Sequence, residues 1–236
     1  MRLPSLLRQA VRWPEAKLLW LMLGASALLL LVLKACSEIA EGDTLAYDRA
    51  ILIALRTATE GSDALRTGLR QFMLDVTALG NNALLALVAL LGVGFLVAAG
   101  KRHLAALLGA GIVTGIGASV ILKLAFARAR PDVVAHLVDV QTASFPSGHA
   151  MNSAVVYLTM AALLARGQKG RGARLYILAV GMGLTFLIGL SRLYLGVHWP
   201  TDVLMGWMFG ASWAGLLAWA GARLQERGAV EGADEA

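Results

Sequence analysis

The chain has 236 residues, of which 58% are hydrophobic and 15% are charged, and its net charge is +6. An ordinary soluble domain has about 25% charged residues, and apolar runs of about 20 residues can span a bilayer, so the composition indicates an integral membrane protein. The basic residues are spread over short loops without a stripe or an aromatic platform, which argues against a nucleic-acid partner. Cys36 is the only cysteine, which excludes an intramolecular disulfide and leaves no metal-ligand spacing.

The apolar segments predict an all-α fold, an integral membrane bundle of six transmembrane helices. The first segment, from about Leu18 to Leu33, follows a basic N-terminus and also fits a secretory signal peptide. Lys34 is unfavourable near a cleavage site, so we interpret this segment as a retained span. One membrane domain is predicted over residues 1–224, followed by a disordered tail at 225–236. The other five spans are predicted at about 81–99, 104–126, 148–165, 174–193 and 203–221.

Residues 36–79, between the first two spans, are polar and mixed in charge. Apolar side chains recur there at helical spacing, first at Tyr47, Ala50, Ile51 and Ala54. A second stripe includes Leu65, Leu69, Phe72, Met73 and Val76. This pattern predicts two amphipathic helices along the membrane surface, and a helical hairpin packed on the bundle is the alternative.

The charge of the loops predicts the orientation of the chain. The N-terminus and the loops 100–103 and 166–174 are basic, which is typical of cytoplasmic segments. With six spans, both termini are then cytoplasmic. The segment 36–79 and the loops 127–147 and 194–202 lie together on the extracytoplasmic side.

The segment 191–202 places an arginine, a histidine and an aspartate between two apolar runs. Pro200 suits the first position of a helix, so Asp202 falls in its first turn and can reach back to His198. A carboxylate on one ring nitrogen fixes the imidazole tautomer and leaves the other nitrogen free to react. A capping aspartate beside an interfacial histidine is the alternative interpretation.

Two further clusters are predicted on the same side of the membrane. Pro146, Ser147, Gly148 and His149 open the fourth span, where free backbone N–H groups at a helix start favour an anion. Lys123 and Arg130 end the third span and Arg192 ends the fifth, and such cations match phosphate oxygens. Arg128 is either a fourth cation or an interfacial residue whose charge snorkels to water, and we prefer the second interpretation.

The spacing Lys123-(six residues)-Arg130-Pro131, the run Pro146-Ser147-Gly148-His149 and the spacing Ser191-Arg192-(five residues)-His198-(three residues)-Asp202 resemble the three-part signature of the type 2 phosphatidic acid phosphatase family. That family is related to the vanadium haloperoxidases and glucose 6-phosphatase. The motifs cover residues 123–202, and the six-span plan extends the resemblance over most of the chain.

The resemblance implies metal-independent hydrolysis of a phosphomonoester or pyrophosphate through a phosphohistidine, without a cofactor. It makes His198 the nucleophile, Asp202 its orienting partner, and His149 first the acid that protonates the leaving oxygen and then the base that activates water. The implied phosphate-binding residues are Lys123, Arg130, Ser147, Gly148, Ser191 and Arg192.

The expected substrate is a lipid phosphate or pyrophosphate in the bilayer of the cell (inner) membrane, such as phosphatidic acid, phosphatidylglycerol phosphate, undecaprenyl pyrophosphate or phosphorylated lipid A. A lipid phosphotransferase that uses the same phosphohistidine is one alternative. A transporter or scaffold that binds an anion without chemistry is another, and a soluble haloperoxidase does not fit six spans. The sequence leaves the particular lipid and the oligomeric state open.

Overall fold

The computed structural model describes residue 34, residues 37–39 and residues 41–231, and all their regular structure is helical. Internal contacts divide the chain into two compact units, Met1–Leu45 and Ala46–Ala236. In the described part of the first unit, Lys34 Nζ lies 3.6 Å from Glu38 Oε1. The predicted first span lies outside the described residues. The prediction of a single domain over residues 1–224 stays a prediction.

Seven helices follow in order within residues 41–231. The fifth contains a π-helical segment, Ala154–Leu158. The helices are α1 (Leu45–Ala58), α2 (Asp63–Ala78), α3 (Asn82–Ala98), α4 (Arg102–Phe126), α5 (Gly148–Arg166), α6 (Arg171–Tyr194) and α7 (Pro200–Glu226).

Four of these helices, α4 to α7, are long and apolar enough to cross a membrane. A fifth candidate is the pair α2 and α3, which are bent by 45° at the break between them. Helix α3 has 17 residues, or about 26 Å at 1.5 Å per residue, slightly less than a bilayer core of about 30 Å. The described residues therefore give four or five spans of an all-helical, multi-pass membrane protein, and the count of six stays a prediction.

The two helices predicted between the first and second spans are present as α1 and α2. The predicted apolar stripe of α1 faces outward, since Tyr47 is 77% and Ile51 is 50% exposed. The side of α1 that is buried carries Asp48 and Leu52, each only 1% exposed. In α2, Leu69 and Met73 pack against a buried cluster that includes Leu195.

The chain alternates between two ends of the bundle. Helices α4 and α6 end where α5 and α7 begin, and we call this the site end. At the opposite end, the Glu231 carboxylate accepts hydrogen bonds from the backbone N–H groups of His103 and Leu104, at 3.1 and 3.0 Å. Helix α7 continues to Glu226, and the side chain of Val230 is buried. In this structure the part 225–231 of the predicted disordered tail packs on the start of α4, and residues 232–236 of that prediction lie outside the described residues.

Candidate active site

A cavity of about 460 Å³ lies at the site end, and we call it the site cavity. It is bounded by α3, α4, α5, α6 and the loops that follow α4 and α6. Six of the nine residues predicted for the site line it: Lys123, Arg130, Gly148, His149, Arg192 and His198.

The two nitrogens of His198 face different surroundings. Nδ1 lies 3.6 Å from Asp202 Oδ2, too far for a good hydrogen bond, and 3.4 Å from the Ser144 hydroxyl oxygen. Nε2 lies 3.3 Å from Arg130 Nη1. Burial lowers the pKa of His198 to about 3, although Asp202 acts in the opposite direction. The imidazole is therefore neutral at pH 7, and a neutral imidazole keeps a lone pair for attack.

Asp202 lies behind His198 and is fully buried. The backbone N–H of Trp199 donates to its Oδ2 at 2.9 Å, as expected for a carboxylate in the first turn of α7. The Ser144 hydroxyl donates to the same oxygen and lies beside His198 Nδ1. Ser144 thus links the carboxylate to the imidazole, and sequence reasoning assigned it no role.

Three cations of the site cavity are held by neutral acceptors. Lys123 Nζ donates to Ala143 O at 2.7 Å, and Arg130 donates to the backbone and hydroxyl of Thr142 at 2.8 and 3.1 Å. Arg192 Nη1 donates to the Thr77 hydroxyl at 3.0 Å, while its buried Nε has no partner. In residues 41–231 none of these cations donates a hydrogen bond to a carboxylate. Their positive charge is therefore available to an anion.

The two predicted serines do not line the site cavity. Ser191 is buried, and its hydroxyl donates to Ile188 O at 2.6 Å. Ser147 is also buried, its hydroxyl has no partner, and its backbone N–H donates to Asp202 O at 3.0 Å. Gly148 follows it, and a Cβ there would lie 3.3 Å from Lys123 Cε. The hydrogen bonds of these two serines therefore stabilise the start of α5, at Ser147, and the end of α6, at Ser191.

Arg128 is not a snorkelling residue, so the preferred interpretation is wrong. Its side chain is 90% buried and donates to Asp202 Oδ1 at 2.6 Å, to Thr201 Oγ1 at 2.9 Å and to Asp48 Oδ2 at 2.9 Å. Asp48 in turn accepts from the Thr201 backbone N–H at 3.0 Å. Two buried carboxylates attract the guanidinium more strongly than water at the interface does. Arg128 therefore holds the face of Asp202 that points away from His198.

Comparison with known proteins places this chain in a family. A model described as the PAP2 superfamily matches residues 102–226, and the chain belongs to that superfamily. The chain is 41% identical over 92 residues to phosphatidylglycerophosphatase B of Bacillus subtilis, spanning 38% of this chain and 44% of that enzyme. It is 32% identical over 160 residues to decaprenylphosphoryl-5-phosphoribose phosphatase of Mycolicibacterium smegmatis, spanning 66% and 79% of the two chains.

A solved structure of a PAP2-type phosphatase also matches this chain. The transmembrane PAP2-type phosphatidylglycerolphosphate phosphatase from Bacillus subtilis superposes with a TM-score of 0.71 at 29% identity. The match covers 86% of this chain and 96% of the other. The resemblance to the type 2 phosphatidic acid phosphatases and the prediction of a phosphatase in the hydrolase class are confirmed.

Proposed function

We propose that this protein is a metal-independent lipid phosphatase that transfers the phosphoryl group of a lipid to His198 and then to water. The observation that carries the proposal is the composition of the site cavity. It holds a neutral imidazole, a second histidine and three cations whose partners are neutral. Phosphoryl transfer depends mainly on positioning and charge stabilisation, and these cations supply the charge that metal ions supply elsewhere.

The proposed reaction has two displacements. In the first, the lone pair of His198 Nε2 forms a bond to phosphorus while the bond from phosphorus to the leaving oxygen breaks, and His149 donates a proton to that oxygen. In the second, His149 takes a proton from water, the water oxygen attacks phosphorus, and the P–N bond breaks. Lys123, Arg130 and Arg192 neutralise the phosphoryl oxygens in both steps.

The wall of the site cavity supports a lipid substrate. On α4, one turn apart, Val120 and Leu124 line the cavity and are 51% and 77% exposed. An apolar, exposed wall beside a cationic pocket suits a phosphate headgroup in the cavity with its acyl or prenyl chains in the bilayer. The relatives named above act on lipid phosphates, which agrees with this arrangement.

We infer that the site cavity opens on the extracytoplasmic side. Glu231 contacts the start of α4, so the described C-terminus lies at the end opposite the site cavity. The loops 100–103 and 166–174 are at that same end and are basic, which favours the cytoplasm.

Phosphate release from lipid phosphates in mixed micelles tests the proposal. His198→Ala and His149→Ala are each expected to lower turnover by about 10³-fold or more, because nucleophile and acid act as a unit. His103→Ala is the matched control, since that histidine is exposed at the opposite end. Chelation by EDTA should leave activity intact, and vanadate should inhibit it. Normal turnover in either site variant, or an absolute need for Mg²⁺, would refute the mechanism.

The same assay separates a hydrolase from a phosphotransferase. With a second lipid alcohol present, a hydrolase releases inorganic phosphate in proportion to substrate consumed. A transferase instead produces a new phosphorylated lipid and little free phosphate.

A further inference from the structure

Two asparagines line the site cavity beside the proposed catalytic residues. Asn152 lies one turn beyond His149 on α5, and residues three apart on a helix share a face. Asn82 is the first residue of α3, and its Oδ1 accepts a hydrogen bond from Asn152 Nδ2 at 3.1 Å. Neither asparagine belongs to the three signature motifs.

Asn152 keeps an unused hydrogen-bonding atom. It is 5% exposed, and its Oδ1 has no partner. The oxygen and nitrogen of an amide are assigned from their hydrogen bonds. If both amides are turned over, Asn82 donates to Asn152 Oδ1 and the Asn152 NH₂ group is left without a partner. In either arrangement Asn152 presents one unpaired polar atom, and the pair offers both a donor and an acceptor.

A purely structural role accounts for only part of this arrangement. A single amide hydrogen bond can tie α3 to α5, as polar side chains do between membrane helices. It does not explain why the remaining polar atom of Asn152 is buried without a partner, because such burial is unfavourable. A substrate hydroxyl both donates and accepts, so it would satisfy the free atom in either amide orientation.

We propose that Asn152, with Asn82, forms a subsite for a hydroxyl group on the leaving group, and the inference rests on the proposed function. Helix α5 runs from the site end toward the other side of the bundle, so Asn152 lies one turn deeper than His149. The leaving group of a lipid phosphate extends from the phosphate toward the bilayer, past His149. The preferred substrate then carries its phosphate on a polyol, glycerol or a sugar, with a free hydroxyl near the scissile bond.

This subsite discriminates among lipid phosphates by chemistry. The leaving group of phosphatidylglycerol phosphate is phosphatidylglycerol, whose head-group glycerol carries a free hydroxyl beside the reacting oxygen. The leaving group of phosphatidic acid is diacylglycerol, which has no further hydroxyl. The leaving group of a polyprenyl pyrophosphate is the polyprenyl monophosphate. A site that binds a hydroxyl rejects an analogue lacking it, because its own polar atom is then left unpaired.

The test compares kcat/KM for phosphatidylglycerol phosphate and phosphatidic acid with identical acyl chains, using the purified full-length protein. The unsubstituted protein should favour phosphatidylglycerol phosphate by about tenfold, the value of one good hydrogen bond. Asn152→Leu, which keeps the volume and removes the amide, should abolish that preference by lowering kcat/KM for phosphatidylglycerol phosphate about tenfold more than kcat/KM for phosphatidic acid. Asn82→Leu should reduce the preference in the same direction.

Two controls distinguish a loss of hydroxyl recognition from a general loss of folding or phosphate binding. Thr159→Val removes another buried, unpartnered polar atom of α5 that lies outside the site cavity, so it should keep the preference. Inhibition by inorganic phosphate should be equal in Asn152→Leu and the unsubstituted protein, because the three cations are untouched.

Each outcome decides the inference. Equal turnover of the two lipids by the unsubstituted protein, or an equal loss on both lipids in Asn152→Leu, overturns the subsite and leaves the phosphatase intact. Loss of phosphate release from both lipids in His198→Ala and in His149→Ala supports the proposed function independently of the subsite. No release from either lipid by the unsubstituted protein overturns both proposals.

Discussion

At the scale of single residues, Arg128 decides how Asp202 is held. Asp202 accepts from Arg128 on one oxygen and from Ser144 and Trp199 on the other, so its carboxylate has little freedom to rotate. Asp48 accepts a hydrogen bond from the same guanidinium, at 2.9 Å. The proposed nucleophile, His198, is therefore connected through Asp202 and Arg128 to a contact that begins at α1, far from the signature motifs.

Removing one member of this buried ion network should be costly. Arg128→Met removes the cation that lies between the buried carboxylates of Asp48 and Asp202, so we expect a loss of about 3–5 kcal/mol in the free energy of unfolding. Arg49→Met is the control, because its ion pair with Asp132, at 3.9 Å, is exposed and should contribute less than about 1 kcal/mol. Denaturant unfolding in detergent measures the difference. Equal losses in Arg128→Met and Arg49→Met would contradict the network.

The sequence predicted the motif residues that line the site cavity, but it did not predict the buried ion network of Asp48, Arg128 and Asp202. Helical spacing identified Tyr47 and Ile51 as an apolar stripe, and this stripe is exposed in the structure, but the spacing gave no sign that Asp48 on the other side of α1 is buried. In a membrane protein an apolar stripe can remain outside, while Asp48 is buried because Arg128 and Thr201 satisfy it. Helical periodicity relates only residues that are close along the chain. It cannot predict the partners of Asp48, which lie 80 and 153 residues away in sequence.

At the scale of helices, α5 and α7 approach each other closely near the start of α5, and α7 begins two residues after His198. A Cβ at Gly206 would lie 2.9 Å from Ser147 O, and one at Gly210 would lie 2.5 Å from Met151 O. Small residues allow such close approach between membrane helices. The sequence shows where these glycines are, but it does not show which of them lie at a helix crossing.

A methyl group at this crossing should force the helices apart. Gly210→Ala places a Cβ against backbone, so we expect a loss of about 1–3 kcal/mol in stability and lower turnover as the two histidines separate. Gly215→Ala, on the same helix with open space around it, should be neutral or should stabilise α7 by up to about 1 kcal/mol. Thermal unfolding and phosphate release measure both effects. Similar behaviour of the two variants would show that the crossing does not control the site.

At the scale of the whole molecule, the predicted ends of the described spans were largely correct because long apolar runs specify them directly. Helices α4, α5 and α6 begin and end within about three residues of the prediction. Helix α7 is longer at both ends, since Pro200 opens it and polar residues continue it to Glu226. An apolar run indicates that a segment can cross the membrane. The polar residues beyond that run determine how far the helix continues.

The orientation of the molecule has its own test. In a Cys36→Ser background, a cysteine introduced at Asp139 should react with a membrane-impermeant maleimide in intact cells, and one at Lys169 should react only after permeabilisation. Both positions are exposed and lie in loops at opposite ends of the bundle. The reverse pattern would place the site cavity on the cytoplasmic side.

The most direct test of the account is to trap the phosphorylated protein. Rapid quenching with a lipid substrate labelled with ³²P should give a protein-bound phosphate that is labile to acid and stable to base. After tryptic cleavage we predict the label in the peptide 193–223, which contains His198 and excludes His149. Turnover without any bound label, or label in the peptide that contains His149, would contradict the account.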